Sequence, residues 1–383
     1  MVVLTGARQV GKTTLARRFL PKAGYVTLDV PAEAEVARLN PSDLLDTQSS
    51  PLILDEVQYA PNLFRELKIR VDRNRAAGQY LVTGSQSFDL MAGISESLAG
   101  RAAILTLPAL TLRELPGTKD LNAIEAFLWR GAYPQLWQQP ELDRALWLGS
   151  YLATYLERDV RNLLAVGSLR DFDRFLRACA LRAGQILSYA ELARDVGISP
   201  NTAKSWISVL EASQQIFLLE PYYRARTKRL VKSPKLYFYD TGMLAYLMGF
   251  SDASELPRHA LWGAVWENAV VSEIRKSFLV RGLRPPLWFW RTSSGDELDV
   301  LIELAPERFV VVECKAATQV DLSSLRGLRP LQAEYGAASV AKAFVVCRTE
   351  RAYPLAQDAV IEAVPLAGRG GLLTHKELIG DSE

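Results

Sequence analysis

The sequence predicts an α/β protein whose first domain is built on a parallel β-sheet, and three observations support this. A short β-branched strand, Val2-Val3-Leu4-Thr5, leads through a glycine-containing loop into a helical run that begins at Leu15. Further short apolar runs alternate with helical patterns up to about residue 107. Such alternation is typical of a parallel sheet covered on both faces. From Ala123 the pattern becomes helical and later changes to hairpin strands, which predicts additional domains.

The loop after the first strand has the composition of a phosphate-binding loop. Two glycines allow a tight turn with inward-pointing N–H groups, Lys12 can reach the β- and γ-phosphates, and Thr13 can ligate Mg²⁺. The N-terminus of the next helix adds to the attraction. A chance match in an ordinary strand-to-helix turn is the alternative, but the flanking strand and helix are the context that the motif requires. The predicted ATP-binding residues are Gly6, Ala7, Arg8, Gln9, Val10, Gly11, Lys12, Thr13 and Thr14.

Two later strand ends add polar groups to this site. The apolar run 51–54 ends in Asp55 and Glu56, as expected of a buried parallel strand whose C-terminal end opens on the nucleotide. Asp55 would hold Mg²⁺ through water, and Glu56 would orient and deprotonate the attacking water. A solvated acidic pair is the alternative. The strand 80–84 is followed by Ser85, whose side chain can sense the γ-phosphate.

These motifs resemble those of the bacterial and archaeal AAA-type ATPases that carry a C-terminal domain of unknown function. The resemblance covers essentially the whole chain, and it implies ATP hydrolysis with Mg²⁺. It also implies that Arg101 can complete the active site of a neighbouring subunit in a homo-oligomer; a surface salt bridge is the alternative role. Relatives usually carry a leader before the first strand, so we expect a shortened N-terminus here. Further marks of the family are SLAGR at 97–101, LREL at 112–115, RGAYP at 130–134 and YLERD at 155–159.

Composition excludes several classes of protein. The formal net charge is +2, which is too small to indicate nucleic-acid binding by itself, so any basic surface must be local. The three cysteines have no ligand-like spacing, and with only two histidines we expect no zinc site. No apolar run approaches the ~20 residues of a membrane span. We expect a cytoplasmic protein with reduced thiols and no membrane partner.

The middle of the chain predicts a helical lid followed by a winged helix. Residues 137–164 have the spacing of one long amphipathic helix, as in the lid of AAA-type proteins. Ser188 and Ser199 are placed to cap two helices, 189–196 and 200–212, separated by a glycine turn. Protein contact is the alternative, but a basic ribbon nearby favours nucleic acid, DNA more than RNA. The ribbon consists of Arg224, Arg226, Lys228, Arg229, Lys232 and Lys235, and the exposed start of the second helix carries Asn201, Thr202, Lys204 and Ser205.

The C-terminal stretch resembles a restriction-endonuclease-like domain. Asp299 lies in a return strand, and the next strand ends in Glu313-Cys314-Lys315, which puts the glutamate and the lysine on one face. Asp299 and Glu313 can share a metal ion, with Glu267 completing the site, while Lys315 stabilises the phosphate or activates water. A degenerate fold kept for structure or binding is the alternative.

The predicted architecture has four parts. They are a P-loop AAA-type ATPase domain (1–118), a helical lid (119–175), a winged helix-turn-helix (176–255) and an α/β restriction-endonuclease-like domain (256–383). We expect ATP hydrolysis coupled to action on nucleic acid, with a metal-dependent nuclease site at the C-terminal end. The rival is an ATP-dependent regulatory or scaffolding switch whose C-terminal domain binds a partner and cuts nothing.

Overall fold

The computed structural model describes residues 1–84, 98–115, 121–155, 169–223, 233–356 and 360–378. The chain divides into two compact units. The first comprises residues 1–109, 212–215 and 279–283, and the second comprises residues 110–211, 216–278 and 284–383. None of the helices in the described ranges is long and apolar enough to cross a membrane.

The first unit is built on a five-stranded sheet in the order β2, β3, β4, β1, β5. All four strand pairs are parallel, as the alternating pattern predicts. The strands are β1 (Val2–Thr5), β2 (Gly24–Thr27), β3 (Leu52–Asp55), β4 (Tyr80–Thr83) and β5 (Ala103–Thr106). The helices are α1 (Lys12–Phe19), α2 (Pro31–Leu39), α3 (Pro41–Asp46) and α4 (Leu63–Arg73). Strand β4 lies between β1 and β3 and is parallel to both, so the carboxyl ends of these three strands meet at one edge of the sheet.

The second unit begins with helices and does not contain the single long helix predicted for 137–164. Its helices in this region are α5 (Leu121–Arg130), α6 (Pro134–Gln138) and α7 (Arg144–Tyr155). The break follows from Pro140, which lacks an N–H group and disfavours helical geometry in the residue before it. Of the apolar residues whose spacing predicts that helix, Leu146 is 70% exposed, whereas Leu148, Tyr151 and Leu152 are buried.

A helix–turn–helix follows α8 (Leu169–Ala180), with bounds that match the prediction: α9 (Tyr189–Val196) and α10 (Pro200–Ala212). Ser188 Oγ accepts the Glu191 N–H at 3.3 Å, and Ser199 Oγ accepts the Thr202 N–H at 3.0 Å, so both predicted caps are present. Trp206 packs edge-on against two rings of α8, which holds α10 to it. Strands β6 (Ile216–Leu219) and β7 (Lys235–Phe238) then form an antiparallel pair.

The C-terminal part of the second unit is a mixed six-stranded sheet in the order β12, β13, β11, β10, β9, β8. Its strands are β8 (Leu287–Arg291), β9 (Glu297–Ala305), β10 (Arg308–Cys314), β11 (Val340–Val346), β12 (Tyr353–Pro354) and β13 (Ile361–Val364). Helices α11 (Thr241–Leu247) and α12 (Trp262–Leu279) precede the sheet, and α13 (Leu328–Tyr335) connects β10 to β11. The predicted antiparallel strands β8, β9 and β10 are therefore present.

Candidate functional site

The loop between β1 and α1 has the backbone that the motif requires. A Cβ atom at Gly6 would lie 2.4 Å from the carbonyl oxygen of Leu107, so only glycine fits there. Gly11 has a φ of 94°, in the left-handed region that favours glycine, and it precedes the first turn of α1. The Lys12 ammonium group is buried and donates to the carbonyl oxygens of Gly6, at 3.1 Å, and Ala7, at 2.8 Å. It must leave these carbonyls to bind a phosphate.

Asp55 is the centre of a hydroxyl network at the edge of the sheet. The Thr13 hydroxyl donates to its carboxylate at 2.9 Å, and the Tyr25 hydroxyl donates to Oδ2 at 2.8 Å. The Thr83 hydroxyl donates to Oδ1. Burial, together with this contact to Asp55, raises the pKa of Tyr25, so its hydroxyl stays protonated and able to donate. Thr13 and Asp55 thus offer adjacent oxygen ligands, which suit Mg²⁺.

Strand register explains why these groups meet. Thr27 of β2 pairs with Asp55 of β3, so Tyr25, two residues earlier, lies on the same face of the sheet as Asp55. On the other side, Leu54 pairs with Val82, which brings Thr83 beside Asp55. The sequence analysis missed Tyr25, although its position on the strand before an acidic strand end was a usable signal.

Glu56 follows in the left-handed conformation, with a φ of 57°. Its side chain accepts a hydrogen bond from the Gln58 amide, and its N–H donates to Thr83 Oγ1 at 3.4 Å. The Glu56 backbone therefore adjoins the Asp55 network through Thr83, while its carboxylate is held by Gln58. Ser85, the predicted γ-phosphate sensor, lies outside the described residues.

The loop also receives a residue that the sequence analysis did not identify. The Gln214 side-chain oxygen accepts the Ala7 N–H at 3.2 Å, and both residues belong to the first unit. Gln214 is buried and has a φ of 57°. It lies far along the chain from the loop, so no local pattern could have indicated the contact.

Arg101 forms the surface ion pair that was its alternative role. Its guanidinium group donates to Asp72 through Nε, at 2.7 Å, and through a terminal nitrogen, at 2.9 Å. The hydrogen bond from Arg101 lowers the pKa of the Asp72 carboxyl, which favours its ionised form. A role in the site of a neighbouring subunit would require this pair to open, and stays a prediction.

The second helix of the helix–turn–helix presents the predicted polar face. Asn201, Lys204 and Ser205 are exposed, whereas Ala203 and Trp206 are buried against the rest of the unit. The start of α10 is therefore available for contact with a partner. The ribbon residues Arg224, Arg226, Lys228, Arg229 and Lys232 lie outside the described residues.

The last ribbon residue, Lys235, corrects the prediction. Its side chain is 4% exposed, and its ammonium group is surrounded by carboxylates: Glu267 at 3.1 Å, Glu297 at 2.5 Å and Asp299 at 3.8 Å. Tyr237, two residues on, donates to the same Glu267 oxygen at 2.6 Å. We call these five residues the Lys235 cluster. Burial lowers the pKa of Lys235, but the three carboxylates outweigh this effect and raise it above its ordinary value.

Glu313 and Lys315 lie beside this cluster, as strand alternation predicts. The Lys315 ammonium group donates to Glu313 Oε1 at 2.7 Å, and the Cys314 N–H donates to Asp299 Oδ2 at 2.8 Å. The other Glu313 oxygen is buried and accepts no hydrogen bond from the described residues. Burial and the nearby Asp299 raise the pKa of Glu313 to about 8 and that of Glu267 to about 7.

The residues at this C-terminal position do not fit a metal ion. The structure brings Glu267, Asp299, Glu313 and Lys315 to one region, but the Lys235 ammonium group lies among the carboxylates where a cation would bind. Across the described ranges, no group of three or more His, Cys, Asp or Glu side chains is arranged to hold a metal. Sequence reasoning missed Glu297 and Tyr237, which alternate by two with Asp299 and Lys235 on their strands.

Comparison with known proteins matches three families along the chain. Residues 1–116 match an AAA domain. Residues 121–254 match a domain of unknown function, DUF8612, and residues 262–368 match another, DUF4143. The first part of the chain is therefore an AAA-type ATPase domain, and the mixed sheet belongs to a C-terminal domain of unknown function.

Two curated relatives resemble nearly the whole chain. They are uncharacterized proteins, Mb2031c of Mycobacterium bovis and Rv2008c of Mycobacterium tuberculosis. Each is 34% identical over 367 residues, which cover 95% of this chain and 80% of the relative. The chain belongs to their family. Its members named here carry no assigned activity, so the family supports the domain assignment and leaves the substrate open.

Solved structures give weaker similarity. Two variants of RuvB from Thermotoga maritima are 16% and 15% identical, cover 56% of this chain and 80% of theirs, and have TM-scores of 0.28 and 0.26. Protein VC1899 from Vibrio cholerae is 12% identical, covers 94% of this chain and 90% of its own, and has a TM-score of 0.17. Scores this low carry no argument about substrate or assembly.

One family mark is explained by packing in the second unit. Gly131 has a φ of 84°, and a Cβ atom there would lie 2.6 Å from the carboxylate of Asp240. That buried carboxylate accepts the N–H groups of Ala132, at 2.5 Å, and Met243, at 2.6 Å. The RGAYP segment therefore joins α5 to the start of α11 and has a structural role.

Proposed function

We propose that this chain hydrolyses ATP at the loop of residues 6–14 and uses the resulting change to act on nucleic acid. The observation that carries the ATP part of the proposal is the contact between Thr13 and the Asp55 carboxylate, at 2.9 Å. It joins the loop to the acidic strand end at the edge where β1, β4 and β3 meet. The AAA domain match over residues 1–116 supports the same assignment.

The residues of the site have separate tasks in this mechanism. The Lys12 ammonium group moves from the loop carbonyls to the β- and γ-phosphates, and the loop N–H groups bind the same phosphates. Thr13 and Asp55 would hold Mg²⁺, which neutralises charge on the phosphates. Glu56 accepts a proton from the attacking water, and Tyr25 and Thr83 keep Asp55 oriented.

Two substitutions distinguish binding from turnover. Lys12→Ala should weaken nucleotide binding, because a charged contact to the phosphates is lost, while Glu56→Gln should retain binding and lose hydrolysis. Binding is measured with a fluorescent ATP analogue and turnover by phosphate release. Unchanged affinity and turnover in Lys12→Ala would contradict the assignment.

The nucleic-acid part of the proposal rests on the exposed start of α10. Asn201, Lys204 and Ser205 lie on the solvent side of a helix that follows a short glycine turn. In helix–turn–helix proteins this position contacts bases or phosphates. The basic residues 224–232 would add phosphate contacts, each of which steepens the dependence of log K on log salt by roughly 0.9 for duplex DNA.

Anisotropy titrations with labelled duplex DNA and RNA at several salt concentrations test this part. Replacing Arg226, Lys228 and Arg229 by alanine should flatten the salt slope, and Lys204→Ala should weaken binding. Lys22→Ala, in an exposed turn of the first unit, is the matched control. Failure of wild type to bind at low salt would assign the helix–turn–helix to protein contacts.

A second candidate function concerns the C-terminal domain. The sequence predicts a metal-dependent nuclease at Asp299, Glu313 and Lys315, and the three residues do lie close together. The Lys235 ammonium group favours the rival, in which this domain binds a partner and cuts nothing. Incubation of the full chain with single-stranded, duplex and branched substrates, in Mg²⁺ and in Mn²⁺, separates the two. Cleavage that is lost in Lys315→Ala would support the nuclease.

A further inference from the structure

The Lys235 cluster has a lysine ammonium group in the position where a metal site would hold an ion. Lys235 is 3% exposed, and its ammonium group contacts one carboxylate from α12 and two from β9. Such a group has three N–H donors on one positive centre. Metal sites in proteins place a cation in the same way among convergent carboxylate oxygens. The lysine therefore occupies the position of the ion.

The supporting contacts fix the lysine and the carboxylates in place. Tyr237 donates to Glu267, and Asn268, next along α12, binds the N–H of Phe238 at 2.7 Å and its carbonyl oxygen at 3.0 Å. Strand β7 is thus held along its length against α12. The Gly184 Cα lies close to Glu267, since a Cβ atom there would be 3.3 Å from its carboxylate. The strand that carries Lys235 and the Glu267 carboxylate that it contacts are therefore both held in place.

We propose that Lys235 is the resident cation of this cluster and takes the place of the divalent metal ion that an endonuclease-like site would hold. It neutralises carboxylates from α12 and β9 and attaches β7 to the C-terminal sheet. In this chain the C-terminal domain then binds no divalent metal at Asp299. Removal of the ammonium group leaves Glu267 and Asp299 without the cation that pairs with them, while Glu297 keeps its contact with Arg291 at 3.4 Å. We then expect the Glu267 and Asp299 carboxylates to turn towards a divalent ion, an arrangement that they do not have around the lysine.

The test measures Mn²⁺ bound by the full chain, without nucleotide, from the loss of the free-ion paramagnetic resonance signal. Wild type and Asp299→Asn should bind equal amounts of Mn²⁺, because the proposal places no metal ion at Asp299. The asparagine keeps an oxygen that can accept the Cys314 N–H, so this contact is retained in the variant. Lys235→Met, which keeps the length of the side chain without its charge, should bind about one more ion per chain. That gain should disappear in the double variant Lys235→Met/Asp299→Asn.

Lys315→Met is the matched control, because Lys315 forms its ion pair with Glu313, at 2.7 Å, while its interaction with Asp299 is a weaker, longer-range attraction. It should bind as much Mn²⁺ as wild type. Thermal unfolding supplies a second measurement: Mn²⁺ should raise the melting temperature of Lys235→Met more than that of wild type, since a ligand that binds only the folded state stabilises it.

Three results would overturn the proposal. The first is Mn²⁺ binding by wild type that is lost in Asp299→Asn. The second is a folded Lys235→Met that gains neither metal nor metal-dependent stability, and the third is an equal gain in Lys315→Met. If Lys235→Met does not fold, the comparison of wild type with Asp299→Asn decides alone, because equal binding supports the proposal and unequal binding refutes it.

Discussion

Replacing Tyr25 with phenylalanine removes one of the three hydroxyl groups that hold Asp55. The bond is 2.8 Å long and ends on Oδ2, the oxygen to which Thr13 also donates at 2.9 Å. When the Thr13 hydroxyl turns towards Mg²⁺, Asp55 keeps only Tyr25 and Thr83. We therefore expect Tyr25→Phe to leave the carboxylate held by Thr83 alone when Thr13 has turned towards Mg²⁺.

The size of the effect follows from the type of bond. A hydrogen bond to a charged group contributes about 1.5–3 kcal/mol. Each loss of about 1.4 kcal/mol in transition-state stabilisation lowers the rate roughly tenfold. Tyr25 is only half-buried, and Thr83 still holds Oδ1, so the lower end of the range applies. We expect kcat/KM for ATP to fall about tenfold at limiting Mg²⁺ and to recover in part at saturating Mg²⁺.

The assay is steady-state phosphate release across a range of Mg²⁺ concentrations. Tyr80→Phe is the control, because Tyr80 pairs with Leu52, at the opposite end of β3 from Asp55. If Tyr25→Phe and Tyr80→Phe behave alike at every Mg²⁺ concentration, Tyr25 does not orient Asp55.

Three further predictions concern other parts of the chain. If Arg101 acts in a neighbouring subunit, mixing Arg101→Ala with Glu56→Gln should restore partial ATPase activity, whereas a monomer whose specific activity is independent of concentration would rule this out. Burial and, to a smaller extent, Asp299 raise the pKa of Glu313 from 4.5 to about 8. Between pH 4.5 and about pH 8 the folded state therefore holds a proton that the unfolded state has lost, so the free energy of unfolding falls as the pH rises. Glu313→Gln should make the free energy of unfolding, measured by urea titration, depend less steeply on pH, by up to about 1.4 kcal/mol per pH unit. An unchanged pH dependence would contradict the raised pKa. Gly131→Ala should lower the melting temperature, because its Cβ atom would meet the Asp240 carboxylate at 2.6 Å and the φ of 84° strains any other residue; an unchanged melting temperature would show that the segment adapts.

Local patterns determine the elements that the sequence predicts correctly. The loop at 6–14, the caps at Ser188 and Ser199, and the hairpin strands β8 to β10 each depend on residues a few positions apart. Pro140 was also a local signal, but the prediction of one helix over 137–164 rested on apolar spacing alone and did not use it. In the structure α6 ends at Gln138 and α7 begins at Arg144, with the proline between them.

Contacts between distant parts of the chain account for what the sequence could not predict. Lys235 follows a run of basic residues and was grouped with them, yet its partners come from residues 267, 297 and 299. Gln214 contacts Ala7 across more than 200 residues of chain. In both cases the neighbouring sequence does not indicate the contact, because only the packing of strands and helices brings the side chain to its partners.

The two acidic sites of the chain differ in the charge of the groups that hold them, and this difference decides what each can bind. All the hydrogen bonds that the Asp55 side chain accepts within the described ranges come from hydroxyl groups, those of Thr13, Tyr25 and Thr83. Neutral donors orient a carboxylate without cancelling its charge, so it retains the attraction that draws a magnesium ion. In the Lys235 cluster an ammonium group makes the central contacts, and the positive charge is already present. A metal ion would have to displace a buried lysine from its carboxylates, which would leave a buried positive charge without its ion pairs. We therefore expect an acidic side chain near a strand end to hold Mg²⁺ in the ATPase site proposed for the first unit, and to keep a lysine as its partner in the second.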